Sequence, residues 1–365
     1  MIYIVMICCT ILLLHTARGL RGVSAPRSPG ILKKLRGGAY PNAFATSARD
    51  TVLYAKKEIL ALDFDGVLCK SDGESSYSSI IAAREQWPEE CTISYSFEFN
   101  RVRQYISQLR PIIETGYENM VLVRYILELL RVEGECDVDT GCTVDITPLL
   151  KEWCPELRDE LIEKYNTDKK TLINMFGYVR DRIIEERYQF WVELNEIYPH
   201  VAECFSRGSV QDAGKELNYC IVTSKQGRFA NSILNYFNIE PPKATRMFDL
   251  ENPMGPKPKV LLSLLCGLDN QASPNEIEAA VNGETLGAMR ERGEEVPLIH
   301  FVEDRYIALL QVLEQQHLKE HVKLYLVDYG YNTLEEREAA AAHPDIEVID
   351  GAGLTRLLNK FIVDK

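Results

Sequence analysis

Asp63 and Asp65 stand one residue apart in the segment LALDFDGVLCKS, at the end of an apolar run and directly before Gly66. A chain that only has to turn can do so with one Asp and a Gly. Two carboxylates this close repel each other, so the second one asks for a positive charge. A divalent metal held by carboxylates supplies such a charge and lets an anionic group approach them.

The elements that position this pair can be read from periodicity. EILALDF (58–64) is a short buried strand ending in the acids. From about Glu74 to Gln211 the texture is helical. Leu172, Phe176, Val179, Ile183, Phe190, Leu194 and Ile197 predict one amphipathic helix, closed by Pro199. Beyond residue 211, strands and helices alternate. NYCIVTS (218–224), ATRMFD (244–249), PLIHFVED (297–304), VKLYLVD (322–328) and IEVID (346–350) read as strands, and 259–266 and 306–317 as helices. That alternation implies a parallel sheet with helices on both faces and a ligand at the carboxyl ends of the strands. Asp63, Asp65, Thr223, Glu303 and Asp304 all fall at such ends. The helical segment interrupts one sheet and is therefore an insertion. The expected organisation is a targeting leader (1–49), the first part of an α/β, Rossmann-like core (50–73), an inserted, mainly helical cap (74–210) and the rest of the core (211–365). The polar, Glu-rich stretch 269–295 reads as loop and surface helix.

These residues resemble the motifs of the haloacid dehalogenase superfamily, whose members are mostly magnesium-dependent phosphatases. DFDGVLCKS is similar to its first motif, which implies that Asp63 attacks phosphorus. Asp65 would protonate the leaving oxygen and later activate water. Thr223 in IVTSK matches the second motif. Lys257 in GPKPKVLL, followed by Pro258, matches the third, and Asp304 in HFVEDR the fourth. NEIYPHVAECF resembles the family's return from cap to core. The resemblance covers 58–365 and implies Mg2+ held by Asp63, the Phe64 carbonyl and Asp304, with Glu303 as a further ligand or as support. At the fourth motif the chain departs from the pattern. Many relatives place Gly before the Asp and a second Asp four or five residues later; here Glu303, Ala308 and Leu309 stand at those positions.

Elementary chemistry asks for the same parts. A carboxylate approaching a phosphate ester is repelled unless a metal screens the charge. A Lys and a hydroxyl stabilise the equatorial oxygens as the phosphoryl group moves. An acid at position 65 favours an alkoxide over a halide leaving group, because only the alkoxide needs a proton. The implied activity is hydrolysis of a small phosphate monoester through an aspartyl-phosphate. A sugar-phosphate mutase and a non-catalytic binding or assembly protein of the same fold are the alternatives. Each feature alone has a plainer reading: Thr223 as a turn, Lys257 as a surface charge, Glu303–Asp304 as a helix cap. Their order along the chain favours the chemical one. Lys225 and Arg228 at the mouth of the core, and Arg180, Arg182 and Arg187 in the cap, are candidates for a second substrate anion or for ordinary surface charges.

Composition bounds the partners. The 365 residues are 46% hydrophobic and 26% charged, as in a soluble globular protein with a sizeable core. Residues 1–49 contain Arg and Lys but no acid, while the remainder holds 34 basic and 54 acidic side chains, a net charge of −20. A body this acidic lacks the clustered cations of a nucleic-acid binder. The apolar run 2–14 is too short to span a bilayer and has the length of a signal-peptide core. The acid-poor stretch after it reads as transit-like. NAFATS, around Phe44, resembles the phenylalanine motif in two-part leaders of algae whose plastids are reached through the secretory pathway. The expected location is thus a plastid, with the secretory pathway as the alternative. The mature protein is expected to meet a small phosphorylated metabolite and no membrane. Ten cysteines without a CxxC pair, among them Cys136, Cys142 and Cys154 with no His nearby, read as reduced, mostly buried thiols.

Overall fold

Strand β1 (Glu58–Leu62) sends alternate side chains to opposite faces of a sheet. Leu60 and Leu62 enter a core shared with the helical insertion, while Ile59 and Ala61 enter a second core on the other face. An unbroken apolar run is what a strand covered on both faces needs. The structure is a computed structural model that describes residues 58–93, 96–132, 135–137, 141–206 and 215–364. The leader expected at 1–49 lies outside the described residues.

After β1 the chain makes the short strand β2 (Cys69–Lys70) and leaves the sheet. Helices α1 (Asp72–Gln86), α2 (Ser96–Gln108) and α3 (Glu118–Val132) follow, then a hairpin of β3 (Glu135–Asp137) and β4 (Gly141–Thr143). Next come α4 (Thr147–Glu152), α5 (Pro155–Lys164) and the long α6 (Lys169–Glu193). The chain returns through β5 (Glu196–Ile197) and α7 (Pro199–Ser206). β5 pairs antiparallel with β2, so the outgoing and returning chains form one ribbon.

The core resumes with β6 (Lys215–Leu217), β7 (Cys220–Val222), α8 (Gly227–Tyr236), β8 (Met247–Phe248) and α9 (Lys257–Leu265). It continues with α10 (Pro274–Val281), α11 (Glu284–Glu291), β9 (Leu298–Glu303), α12 (Tyr306–Leu313) and β10 (Val322–Val327). It ends with α13 (Leu334–Ala342), β11 (Ile346–Ile349), α14 (Gly351–Lys360) and β12 (Ile362–Asp364), the last pairing with β6. The main sheet runs β11-β10-β9-β1-β7-β8, with every neighbouring pair parallel. This is the expected α/β, Rossmann-like core with a mainly helical insertion. β1 lies between β9 and β7, so the carboxyl ends of these three strands place Asp63, Thr223 and Glu303 side by side.

One expectation changes. The amphipathic helix of the insertion begins at its cap, Asp168, whose side chain accepts the Thr171 N–H, and buries Leu172, Phe176, Val179 and Ile183. It ends at Glu193, however, not at Pro199. Ile197 pairs opposite Cys69 in the ribbon, and Pro199 opens α7. Proline suits the first turn of a helix, where its missing N–H would have no partner. The stretch 269–295 folds into α10, with a reciprocal Ser273–Glu276 cap, and α11; Ile277 and Ala280, then Leu286 and Met289, are their buried contributions. Among the described residues no helix is long and apolar enough to cross a membrane. Cys69, Cys91 and Cys220 are buried free thiols, and Cys154, Cys204 and Cys266 are half-buried ones.

Candidate active site

The parallel pairing carries Asp63 just past β1, its N–H donating to the Val302 carbonyl at 2.9 Å. The turn that follows needs Gly66. Its φ is +79°, and a Cβ there would lie 1.9 Å from Oδ2 of Asp304. Across the same contact a Cβ on Gly330 would sit 2.4 Å from the Asp304 Cβ. Both glycines therefore exist to let Asp304 reach the acidic loop. The turn is closed by Leu68 and Cys69, whose N–H groups both donate to the Phe64 carbonyl at 3.0 Å. The Phe64 carbonyl, the expected metal ligand, thus accepts two hydrogen bonds of the turn.

Carboxylate oxygens of Asp63, Glu303 and Asp304 all lie within 4.8 Å of one another. Lys257, the first residue of α9, puts Nζ 2.6 Å from Oε2 of Glu303 and 3.1 Å from Oδ2 of Asp63. Glu303 is fully buried, and its other oxygen accepts the N–H groups of Asp304 and Arg305. Both its oxygens are thus engaged, Oε2 by Lys257 and Oε1 by the two N–H groups. Burial works against the Glu303 carboxylate, but the Lys257 ammonium, the hydrogen bonds from Asp304 and Lys257 and the charge of Arg305 together outweigh it and keep it below the ordinary range. Asp304 gives one oxygen to the Tyr331 N–H at 2.8 Å. Asp63 has a buried Oδ1 with no hydrogen-bond partner.

These two acids are short of positive charge. Burial pushes Asp63 up to about 7 despite Lys257, with Glu303 and Asp65 adding to the rise. Burial, then Glu303 and Asp63, raises Asp304 well above the carboxylate range. An orphaned buried oxygen beside two carboxyls that resist ionisation fits a hard divalent cation. A proton competes with that cation at Asp63, so affinity must rise as pH passes through about 7. Calorimetric Mg2+ titration should give binding at least about tenfold tighter at pH 8 than at pH 6. Equal affinity at both pH values would remove these acids as ligands.

Asp65 has the opposite environment. Lys225 Nζ lies 3.2 Å from Oδ1, and Arg110 Nη2 is 3.7 Å from Oδ2. Burial opposes ionisation of Asp65, yet Lys225 and Arg110 outweigh it and hold the acid below its ordinary value. Lys225 also lies 3.6 Å from Oε2 of Glu74. Glu74 is fully buried and takes a two-pronged contact from Arg180, at 2.8 and 2.7 Å. Trp191 and Ser78 donate to it as well. Lys225 and Arg180, expected at a substrate anion, are placed here among acids. Both are committed to buried carboxylates, and together they tie α1 and α6 to the Asp65 side of the site. Arg228 and Arg182 make exposed ion pairs with Asp181 and Glu85.

A cavity of about 320 Å³ is lined by Asp63, Asp65, Thr223, Lys257 and Asp304, together with Arg110. The insertion thus contributes a cation that the sequence reading missed. Arg110 opens a one-turn helix after α2, and its guanidinium stacks 4.6 Å from the centre of the Tyr331 ring. The Tyr331 hydroxyl accepts the N–H groups of Ser71 and Asp72, where the chain enters the insertion, at 2.7 and 2.9 Å. Local sequence carries no signal for either residue beyond an Arg-Pro at a helix end and a Tyr in a loop.

No family model and no curated protein matches the chain. Solved structures are similar to it at low identity. A predicted phosphatase from Clostridium acetobutylicum shares 14% identity, with 83% of this chain and 98% of that chain covered and a TM-score of 0.41. A predicted phosphoglycolate phosphatase from Haemophilus somnus shares 16%, with the same coverage and a TM-score of 0.41. A HAD family hydrolase from Deinococcus radiodurans, with bound phosphate and sodium, shares 12%, with 83% and 95% covered and a TM-score of 0.35. At these scores the likeness carries no residue role to this chain. The order of its own motifs, and their meeting at the carboxyl ends of β1, β7 and β9, make the chain resemble the haloacid dehalogenase hydrolases.

Proposed function

We propose that the protein is a Mg2+-dependent phosphatase that hydrolyses a small phosphate monoester through an aspartyl-phosphate on Asp63. The observation that carries this reading is the contrast between two acids one residue apart. Asp63 is short of positive charge and bears an unpartnered oxygen, whereas Asp65 is held ionised by two cations. Paired titratable groups whose environments push their proton affinities apart divide acid–base labour.

Bound at Asp63 and Asp304, the metal would screen the repulsion between nucleophile and phosphate and polarise the phosphoryl oxygens. An oxygen of Asp63 attacks phosphorus while the bond to the ester oxygen breaks. Lys257 and the Thr223 hydroxyl donate to the equatorial oxygens. The incoming phosphate adds negative charge beside Asp65, raising its proton affinity so that it takes a proton from the monoanionic ester or from solvent and passes it to the leaving oxygen. Asp65 then takes a proton from the water that attacks the aspartyl-phosphate, which frees inorganic phosphate and restores Asp63. Release of inorganic phosphate from an ester panel by the purified protein, stopped by a chelator, is the direct test. A protein that cleaves none of the esters would be better read as a binding protein.

Asp65→Asn separates the steps. With alkyl phosphates, turnover should fall by about 10² to 10⁴. With an aryl phosphate, whose leaving group needs little protonation, stopped-flow should show a fast burst followed by slow hydrolysis. Equal loss of burst and steady state would remove Asp65 from the proton transfer.

A further inference from the structure

The cavity has basic groups on its wall to which the proposed reaction assigns no contact with the substrate. Arg110 has a side chain only 11% exposed. Its Nη1 donates to the Ile113 carbonyl at 3.2 Å, its Nη2 is 3.7 Å from Asp65, beyond a hydrogen bond, and its buried Nε has no partner. Arg305 lines the same cavity, and its Nε is also buried without a partner. Lys169, exposed at the start of α6, completes this wall and lies 5.5 Å from the Tyr117 ring. Of the acids lining the same cavity, Asp65 has Lys225, and the two Asp249 oxygens accept the N–H groups of Gly227 and Glu251. Asp63 and Asp304 belong to the proposed cation site, and Glu114 is exposed at the rim.

Arg110 Nη2 keeps donor capacity beyond its long contact with Asp65, and an anion in the cavity can take it up. The phosphoryl group is not that anion, since Lys257, Thr223 and the acid cluster already surround its place. Arg110 adjoins Asp65, the residue that serves the leaving oxygen, so it faces the part of the substrate beyond the ester oxygen. Resting on the phosphatase reading, we infer that the substrate carries a second anionic group, a carboxylate or a second phosphate, recognised by Arg110 with Arg305 and Lys169 on the same wall. Arg110 is then a specificity-determining residue supplied by the insertion to a site built on the core.

Steady-state kinetics of the full chain with glycerol 3-phosphate, 3-phosphoglycerate and 1,3-propanediol bisphosphate test this. At least one doubly anionic ester should exceed glycerol 3-phosphate in kcat/KM by about tenfold or more, and the two charged esters tell carboxylate from phosphate. Arg110→Gln should lower kcat/KM for the preferred ester by about 10- to 100-fold, mainly through KM. The neutral ester should lose less, and Arg110→Lys should recover part of the preference. Because Arg110 also packs on Tyr331, Arg305→Gln serves as the second variant and should reduce the same preference. Equal use of all three esters by the wild type overturns the inference and leaves the phosphatase reading intact. A preference that survives both Gln variants overturns the assignment to these residues. Cleavage of none of the esters, nor of an aryl phosphate, overturns the phosphatase reading, and the inference with it.

Discussion

Asp63→Asn should abolish turnover of every phosphate ester the wild-type protein cleaves, and no phosphoenzyme should form. A neutral amide is a poor nucleophile and a weaker metal ligand, so both proposed roles of the side chain vanish together. Loss of a covalent nucleophile is worth on the order of 10⁴ to 10⁶ in rate. The substitution is nearly isosteric and removes a charge that burial already disfavours, so the fold survives it. Acid-quenched wild-type protein examined by intact mass should carry one phosphoryl group, absent from the variant. Retained turnover, or an equal phosphoryl adduct in Asp63→Asn, would move the nucleophile elsewhere.

Asp304→Asn should cost metal binding and activity together while making the metal-free protein more stable. The folded-state proton affinity of Asp304 lies above its unfolded value, through burial first and then through Glu303 and Asp63. At pH values between the two, the folded form holds a proton that the unfolded form has released. The stability this contributes is lost as pH rises through the folded value. Above that value the ionised acid burdens the metal-free fold, and an amide does not. Melting in chelator at pH 8 should therefore be higher for Asp304→Asn than for the wild type. Mg2+ should raise the wild-type transition and leave the variant's nearly unmoved. Glu303→Gln differs, because its oxygens serve Lys257 and two backbone N–H groups. It should keep metal binding and lose activity only through a looser Lys257. A lower melting point for metal-free Asp304→Asn, with equal Mg2+ stabilisation of both proteins, would sink the cation-site reading.

Some of this was determined by the sequence alone, for a physical reason. Apolar runs of strand length alternating with helical stripes set where the strands end, and a parallel sheet brings those ends to one edge. Asp63, Thr223 and Asp304 follow three adjacent strands or end beside them, so their meeting was legible before any coordinates. Lys257 was legible only through the resemblance of GPKPKVLL to the family's third motif, and it opens α9. What only the tertiary structure decided is who partners whom. The Phe64 carbonyl accepts two N–H groups of a turn whose hydrogen bonds leave no trace in residue type. Arg180 pairs with Glu74 across 106 positions of sequence, through the packing of α6 on α1. Local periodicity says that such a helix has a buried face, but not which buried acid that face will meet. Pro199 shows the same limit at short range, since a proline reads equally as the end of one helix or the start of the next. Arg110 and Tyr331 were invisible for the strongest version of this reason. Their roles arise where the insertion folds back over the core, and a side chain's surroundings there depend on helix packing angles that no window of sequence encodes.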